Sequence, residues 1–195
     1  MSITAGVIAV QGDVPEHVAA IHRAAERVDR SVTVRPIREA GIVPDCDWVA
    51  MPGGESTAIS RLVHESAIAT ELCDHVAAGK PLLATCAGLI VAASEPNDDR
   101  VTGLGLLEAS VERNAFGRQA DSFETALSVD GLESPFHAVF IRAPVIESVG
   151  EAATVLARHE GRPVAVRQGP VVGTAFHPEL TDDARIHRLT FLEGD

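Results

Sequence analysis

The stretch "KPLLATCAGLIVAAS", residues 80–94, places a cysteine between two apolar runs. The pattern predicts a short buried strand over residues 81–86 and a helix over residues 87–95. Cys86 stands at the turn between them, with small residues on both sides. A nucleophile elbow has this order, because a strained backbone there projects the nucleophile from the edge of a sheet. The alternative is a buried core thiol, which the local sequence by itself favours.

Outward from this stretch, apolar runs and helical segments alternate. The pattern predicts strands at residues 3–12, 31–37 and 47–54, and helices at residues 15–28 and 55–79, the second as one helix or two pieces. Such alternation is typical of an α/β fold with an open, mostly parallel sheet and flanking helices.

The second half of the chain has shorter apolar runs separated by turns. It predicts strands at residues 106–114, 122–129 and 137–144, three more within residues 153–179, and a last helix over residues 181–194. We expect these strands to form an antiparallel extension of the sheet. No repeat or linker interrupts the pattern, so we expect a single domain over residues 1–195.

Composition indicates a globular protein, with 46% hydrophobic and 23% charged residues. No apolar run is long enough to span a membrane, and no basic segment precedes the first apolar stretch, as it would in a signal peptide. Three cysteines without such a signal argue for a reducing compartment. We therefore expect a cytoplasmic protein with no membrane partner.

The charge of the chain is strongly negative. Twenty-eight acidic residues against sixteen basic ones give a net charge of −12, which disfavours nucleic acid as a partner. Lys80 is the only lysine; the other fifteen basic residues are arginine. Two explanations stay open: the codon bias of a GC-rich genome, and adaptation to concentrated salt, which screens self-repulsion.

A second candidate segment is "VVGTAFHPEL", residues 171–180, where a predicted strand leads to His177. A thiol nucleophile needs a nearby base, and the base needs an orienting carboxylate; His177 and Glu179 supply both. The other seven histidines are interpreted as solvated or core side chains. A metal site is not expected, since no third ligand stands at a recognisable spacing.

A third candidate is "MPGGESTAIS", residues 51–60, where two glycines follow a predicted strand. Gly53 and Gly54 free the backbone to turn N–H groups toward a ligand. The alternative is an ordinary turn with Ser56 or Thr57 capping the next helix. The three candidate segments each follow a strand, and the carboxyl ends of parallel strands share one edge of a sheet, so we expect one common site there.

Together these motifs resemble the class I (triad-type) glutamine amidotransferases, whose fold is flavodoxin-like. The signatures are "TCAGLI" at residues 85–90 and "FHPE" at residues 176–179. The chain is most similar to the glutaminase subunits of pyridoxal 5′-phosphate synthase, through "RNAFGRQADSFE" at residues 113–124 and "FIRAP" at residues 140–144. The resemblance covers almost the whole chain.

The resemblance implies that Cys86 attacks the amide of L-glutamine, that His177 transfers the proton and that Glu179 orients His177. It further implies an oxyanion hole and a glutamine site: the first from Gly53, Gly54 and Ala87, the second from Gly54, Glu55, Ser56, Arg113, Ile141 and Arg142. No cofactor or metal is implied. The implied partner is a synthase subunit, which receives the ammonia within a hetero-oligomeric complex and makes pyridoxal 5′-phosphate, vitamin B6.

Two rival functions remain open: a glutaminase that serves another biosynthetic synthase, and a non-catalytic thiol sensor. Residues 113–124 argue against the first, and the intact set of Cys86, His177 and Glu179 argues against the second. One departure from the family pattern is Ala84, where most relatives have glycine. Alanine is small enough for the elbow to form, although its backbone freedom is lower.

Overall fold

A computed structural model describes residues 2–113 and 122–192 of the chain. Its centre is a seven-stranded sheet with the strand order β10-β11-β12-β4-β3-β1-β2. The strands are β1 (Ile3–Ile8), β2 (Val32–Ile37), β3 (Trp48–Met51), β4 (Leu82–Thr85), β5 (Ala93–Glu95), β6 (Leu107–Glu112), β7 (Ser122–Leu127), β8 (Phe136–Ile141), β9 (Val145–Val149), β10 (Thr154–His159), β11 (Arg162–Gln168) and β12 (Val171–Thr174). The helices are α1 (Val14–Glu26), α2 (Ser56–Glu65), α3 (Ile68–Ala77), α4 (Ala87–Ala92) and α5 (Arg185–Phe191).

The large sheet is mostly parallel, which confirms the predicted fold class. Strands β2, β1, β3, β4 and β12 run parallel, and β11 and β10 extend the sheet antiparallel. Every residue of β3, β4 and β12 is buried. Parallel strands covered by helices on both faces have this continuous apolar pattern. The buried strands hold their carboxyl ends in fixed positions.

Within the described residues, two smaller sheets lie outside the large one, and its antiparallel extension consists of β10 and β11. The expectation that the strands predicted within residues 106–144 extend the large sheet was therefore wrong. Strand β6 pairs with β5 and β9, and β7 pairs with β8. Strand β9 was not predicted. Its five residues directly follow the strand predicted over residues 137–144, and apart from Pro144 no residue between them indicates a turn. The antiparallel half is therefore divided between three sheets.

The helix predicted over residues 87–95 is shorter than expected. Helix α4 ends at Ala92, and Ala93 adopts an extended backbone and pairs with Leu107. Glu95 precedes Pro96, and a residue before proline is disfavoured in a helix. The pairing of β5 with β6 thus replaces the last helical turn.

Other helix boundaries also differ from expectation in detail. Residues 55–79 form two helices, as anticipated, because Ala67 adopts a left-handed backbone between α2 and α3. The cap of α2 is Glu55, not Ser56 or Thr57: its carboxylate accepts from the N–H of Ala58 at 3.0 Å. Helix α5 begins only at Arg185, whose N–H donates to the side chain of Asp183.

Across the described part of the chain, no helix has both the length and the apolar character needed to cross a bilayer.

Candidate active site

The three candidate segments meet at one edge of the large sheet. Strand β4 lies between β3 and β12, with Ala84 beside Met51 and Thr85 beside Thr174. The N–H of Cys86 donates to the carbonyl of Thr174 at 2.8 Å. The segments after β3, β4 and β12 therefore leave the sheet side by side.

Cys86 occupies a sharp turn between β4 and α4. Its φ of 50° and ψ of −107° lie in a strained region for a residue with a side chain. Gly88, two residues on, allows the close packing of α4, since a Cβ there would lie 2.2 Å from the Met51 carbonyl oxygen. Ala84 lies within the regular strand and not at a positive φ, so alanine fits there.

The environment of Cys86 differs from that of the other two cysteines. Its Sγ lies 4.0 Å from the Ile141 carbonyl oxygen, and 8% of the residue is exposed. Burial raises the pKa of Cys46 and of Cys73. A raised pKa favours the protonated thiol, which is a poor nucleophile, at both positions.

His177 links the thiol to a buried carboxylate. Its Nδ1 lies 2.6 Å from Oε1 of Glu179, which is 3% exposed. Burial lowers the pKa of His177, but hydrogen bonds to Cys86 and Glu179, with their negative charges, outweigh burial and raise that pKa to about 10. A thiol, an imidazole and a carboxylate placed together are the groups that a nucleophile, its base and an orienting residue require.

The two glycines after β3 are needed for this packing. A Cβ on Gly53 would lie 2.6 Å from Cε1 of His177 and 3.3 Å from Cβ of Cys86. Gly54 has a φ of 143°, which side chains rarely adopt. On the other side, a Cβ on Gly12 would lie 1.9 Å from the Gly53 carbonyl oxygen. The Gly53 backbone is thus held between the triad and the loop after β1, while Ala87 begins α4.

Two of the six predicted glutamine-binding residues, Glu55 and Arg113, line a polar cleft of about 900 Å³. Arg113 Nη2 lies 2.8 Å from Glu55 Oε1, and Arg113 Nη1 lies 3.5 Å from Asp98 Oδ2. Hydrogen bonds from Arg100 hold the pKa of Asp98 far below its usual range. Glu55 and Arg113 therefore lie together at this cleft. Glu55 directly follows Gly53 and Gly54 in the chain, and Gly53 packs beside Cys86 and His177.

The other predicted binding residues have different surroundings. Ser56 is 1% exposed, and its Oγ makes no hydrogen bond within residues 2–113 and 122–192. The backbone of Ile141 faces the thiol, and Arg142 follows it at a positive φ of 43° with its side chain exposed. No contact in the described residues joins Arg142 to Arg113. Most of the "RNAFGRQADSFE" motif, residues 114–121, lies outside the described residues.

A profile of the SNO glutamine amidotransferase family matches residues 7–193. The chain belongs to this family. Two relatives named pyridoxal 5′-phosphate synthase subunit PdxT are each 64% identical to it: one from Halobacterium salinarum, covering 99% of this chain and 95% of the relative, and one from Haloarcula marismortui, covering 100% and 98%. A PdxT from Methanothrix thermoacetophila is 52% identical, covering 94% of this chain and 96% of the relative.

Solved structures agree with the family assignment. A crystal structure of a glutamine amidotransferase is 45% identical and superposes with a TM-score of 0.84, covering 95% of this chain and 96% of the other. A glutamine amidotransferase from Thermotoga maritima, 13% identical, superposes with a TM-score of 0.63, covering 91% and 76%. The second likeness extends to the fold alone.

Asp13 is a carboxylate near the triad that sequence reasoning missed. Its Oδ2 lies 3.7 Å from Nδ1 of His177, and ligand atoms of Asp13, His177 and Glu179 all lie within 4.8 Å of one another. A metal ion there would compete with the hydrogen bond from His177 to Glu179. Asp13 follows β1, a parallel strand, so the rule that such loops share one edge was the signal available.

His17 is a second residue that sequence reasoning missed. It lies on α1, is fully buried, and its Nε2 lies 3.2 Å from Oγ1 of Thr85 and 3.5 Å from Oε2 of Glu179. His187 on α5, also fully buried, places its Nε2 3.4 Å from Nδ1 of His17. The sequence carries no signal for these contacts, since a core histidine has the same pattern.

Proposed function

We propose that this chain hydrolyses L-glutamine to L-glutamate and ammonia, and that the ammonia serves the synthesis of pyridoxal 5′-phosphate. The observation that carries the proposal is the buried His177, which is hydrogen-bonded to Glu179 and packs, together with Cys86, against the backbone of Gly53. Membership of the SNO family and the PdxT name of close relatives support the reaction and the pathway. These observations favour this function over a thiol sensor or a glutaminase of another synthase.

Catalysis begins at Cys86. His177 takes the thiol proton, and the sulfur attacks the side-chain amide carbon of glutamine, forming a C–S bond and a tetrahedral oxyanion. His177 then gives its proton to the amide nitrogen, the C–N bond breaks and ammonia leaves. Water, deprotonated by His177, hydrolyses the γ-glutamyl thioester to glutamate and restores the thiol. Glu179 orients His177 and stabilises its charged form throughout.

Backbone N–H groups stabilise the oxyanion. Gly53, Gly54 and Ala87 are the residues proposed for this role, and Gly53 packs against both catalytic side chains. The Gly53–Gly54 peptide can rotate at low cost, which makes it a conformational switch. A missing oxyanion donor costs roughly 10²–10³ in rate, enough to hold the free chain inactive.

Glutamine binds in the polar cleft beside the triad. Glu55 and Arg113 line this cleft. Gly54 and Ser56 flank Glu55 in the chain, and Ile141 and Arg142 complete the proposed site beside the thiol, where the Ile141 carbonyl oxygen lies 4.0 Å from Sγ of Cys86. An arginine suits the substrate's α-carboxylate, because a guanidinium donates two parallel hydrogen bonds to it. The ion pair of Arg113 with Glu55 supports this role, since it holds the guanidinium at the cleft.

The partner is a synthase subunit that receives the ammonia in a hetero-oligomeric complex in the cytoplasm. Ammonia released without a receiver is lost, so a glutaminase that is inactive until it docks is favoured. Two chains of the family from Halobacterium salinarum and Haloarcula marismortui are named as subunits, which supports an assembly.

The test compares ammonia release from glutamine by the wild-type chain and by Cys86→Ala, each with and without the synthase subunit. Cys86→Ala should abolish release and the alkylation by 6-diazo-5-oxo-norleucine, since the bond-forming sulfur is gone. Cys46→Ala and Cys73→Ala are the matched controls and should stay active. Activity in Cys86→Ala would refute the nucleophile, and a free chain as fast as the complex would refute the switch.

A further inference from the structure

Behind the triad, two histidine rings continue the chain of polar contacts into the core. His17 comes from α1 and His187 from α5, and both are fully buried. The order of contacts is His177, Glu179, His17, His187, with separations of 2.6, 3.5 and 3.4 Å. The proposed reaction uses only the first two of these residues.

One oxygen of Glu179 needs a donor. Oε1 faces Nδ1 of His177, while Oε2 makes no hydrogen bond within the residues that the structure describes. A buried carboxylate oxygen without a donor is costly. Nε2 of His17, at 3.5 Å, is a nitrogen that faces this oxygen, and catalytic hydrogen bonds often shorten once substrate is bound.

The contacts select which nitrogen of each ring carries its proton. With the proton of His17 on Nε2, that N–H points at Thr85 Oγ1 and Glu179 Oε2, and Nδ1 accepts from His187. With the proton on Nδ1, His187 would carry its own proton on a buried Nδ1 that has no acceptor in the described residues. Orphaned buried donors are rare, so the first arrangement is favoured.

Both rings are neutral at neutral pH. Burial lowers the pKa of His17 to about 4, opposed by Glu179 and reinforced by His187 and His177. Burial and the charge of Arg23 lower the pKa of His187 to about 3. A neutral donor holds the carboxylate without cancelling its charge, so Glu179 keeps its full attraction for the charged ring of His177.

We propose that His17 is a positioning residue for the glutaminase reaction: its Nε2–H holds Oε2 of Glu179, so that Oε1 stays aimed at His177, while His187 orients the ring of His17. The inference rests on the proposed function and adds to it a residue that positions Glu179. Other ionisable groups that face this series of polar contacts are Cys86 and Asp13 beside His177, and Arg23 beside His187.

A buried histidine elsewhere in the fold provides the matched control. His75 on α3 is 4% exposed, burial lowers its pKa, and its Nε2 lies 3.1 Å from the Pro81 carbonyl oxygen. Pro81 precedes the amino end of β4, whereas the triad follows its carboxyl end. A substitution at His75 therefore disturbs a comparable core position without reaching the triad.

The experiment compares His17→Leu, His17→Gln and His75→Leu in the full chain, assayed with the synthase subunit. His17→Leu should lower kcat for ammonia release by roughly 10–100-fold with little change in KM, the usual cost of losing a supporting hydrogen bond behind an active group. His17→Gln should recover most of the rate, because its amide N–H reaches the position of Nε2. His75→Leu should keep the wild-type rate.

A second measurement distinguishes the loss of the hydrogen bond from His17 to Glu179 from a general disturbance of core packing. The rate of Cys86 alkylation by iodoacetamide, followed on the Cys86 peptide by mass spectrometry, should reach its midpoint at higher pH in His17→Leu than in wild type. The reason is that a less ordered Glu179 lowers the pKa of His177 and so weakens its support of the thiolate. His75→Leu and His17→Gln should keep the wild-type midpoint.

A folded His17→Leu with wild-type kcat and midpoint would overturn the proposal, and so would an equal loss in His75→Leu. Should His17→Leu fail to fold, His17→Asn replaces it: its amide is too short to reach Glu179, so it should be as impaired as His17→Leu is expected to be. Equal rates in His17→Asn and His17→Gln would then overturn the proposal. Absence of ammonia release from glutamine by the wild-type complex would instead refute the proposed function itself.

Discussion

At the scale of single residues, His177 is the group whose surroundings change its chemistry most. Its pKa of about 10 means that the ring gains a proton readily beside Cys86 and Glu179, despite its burial. In the proposed reaction, His177 takes the proton of the Cys86 thiol and gives it to the leaving nitrogen.

The roles of the base and of its orienter differ in how replaceable they are. His177→Asn should lower the rate of glutamine hydrolysis by roughly 10⁴-fold or more. The loss in Glu179→Gln should be smaller than this by a factor of about ten to a hundred, because the amide oxygen still accepts a hydrogen bond from the ring. The measurement is ammonia release at saturating glutamine in the presence of the synthase subunit.

His137→Asn is the control for these two substitutions. His137 lies 2.8 Å from Glu124, so it forms the same type of pair on an exposed surface. It should leave the rate unchanged. Wild-type rates in both His177→Asn and Glu179→Gln would refute the assignment.

At the scale of elements, the packing of α1 against α5 buries His17 and His187 beside each other, with ring centroids 5.5 Å apart. Burial keeps both rings neutral in the folded chain, whereas both bind protons readily once exposed in the unfolded chain. The contact between these two helices is therefore sensitive to acid.

Stability should fall as the pH drops below about 6.5, the unfolded pKa of histidine. Between that value and pH about 4 the unfolded chain binds more protons than the folded chain, so the free energy of unfolding decreases with falling pH. His17 and His187 each contribute up to about 1.4 kcal/mol per pH unit in this window.

The measurement is the midpoint of urea unfolding between pH 7.5 and 4.5 at constant salt. His187→Phe should flatten the acid limb, because it removes one of the two groups, while His22→Gln, an exposed site on α1, should leave it unchanged. An acid limb equally steep in His187→Phe and wild type would contradict this account.

At the scale of the whole molecule, charge is the dominant feature. The net charge of −12 with a single lysine implies self-repulsion in dilute buffer. Salt adaptation predicts that concentrated salt stabilises the chain by screening this repulsion, whereas codon bias predicts no such effect.

The melting temperature should therefore rise as potassium chloride increases from dilute buffer toward molar levels. Most of the rise should be complete near ~1 M, where the Debye length is about 3 Å. Replacing the exposed Glu39, Glu133 and Glu151 together by glutamine removes three negative charges and should flatten the curve. A melting temperature that is flat or falls with salt would favour codon bias instead.

The sequence by itself determined the α/β class and the three segments at the sheet edge, because these depend on local patterns. Apolar runs mark buried parallel strands, and small residues beside Cys86 mark a tight turn whatever surrounds it. The pairing of Glu55 with Arg113, the strand β5 and the position of His17 behind Glu179 were decided only by the tertiary structure. Each depends on residues far apart in sequence, brought together by strand register and helix packing, and nothing in a local pattern records which polar group a buried histidine will face.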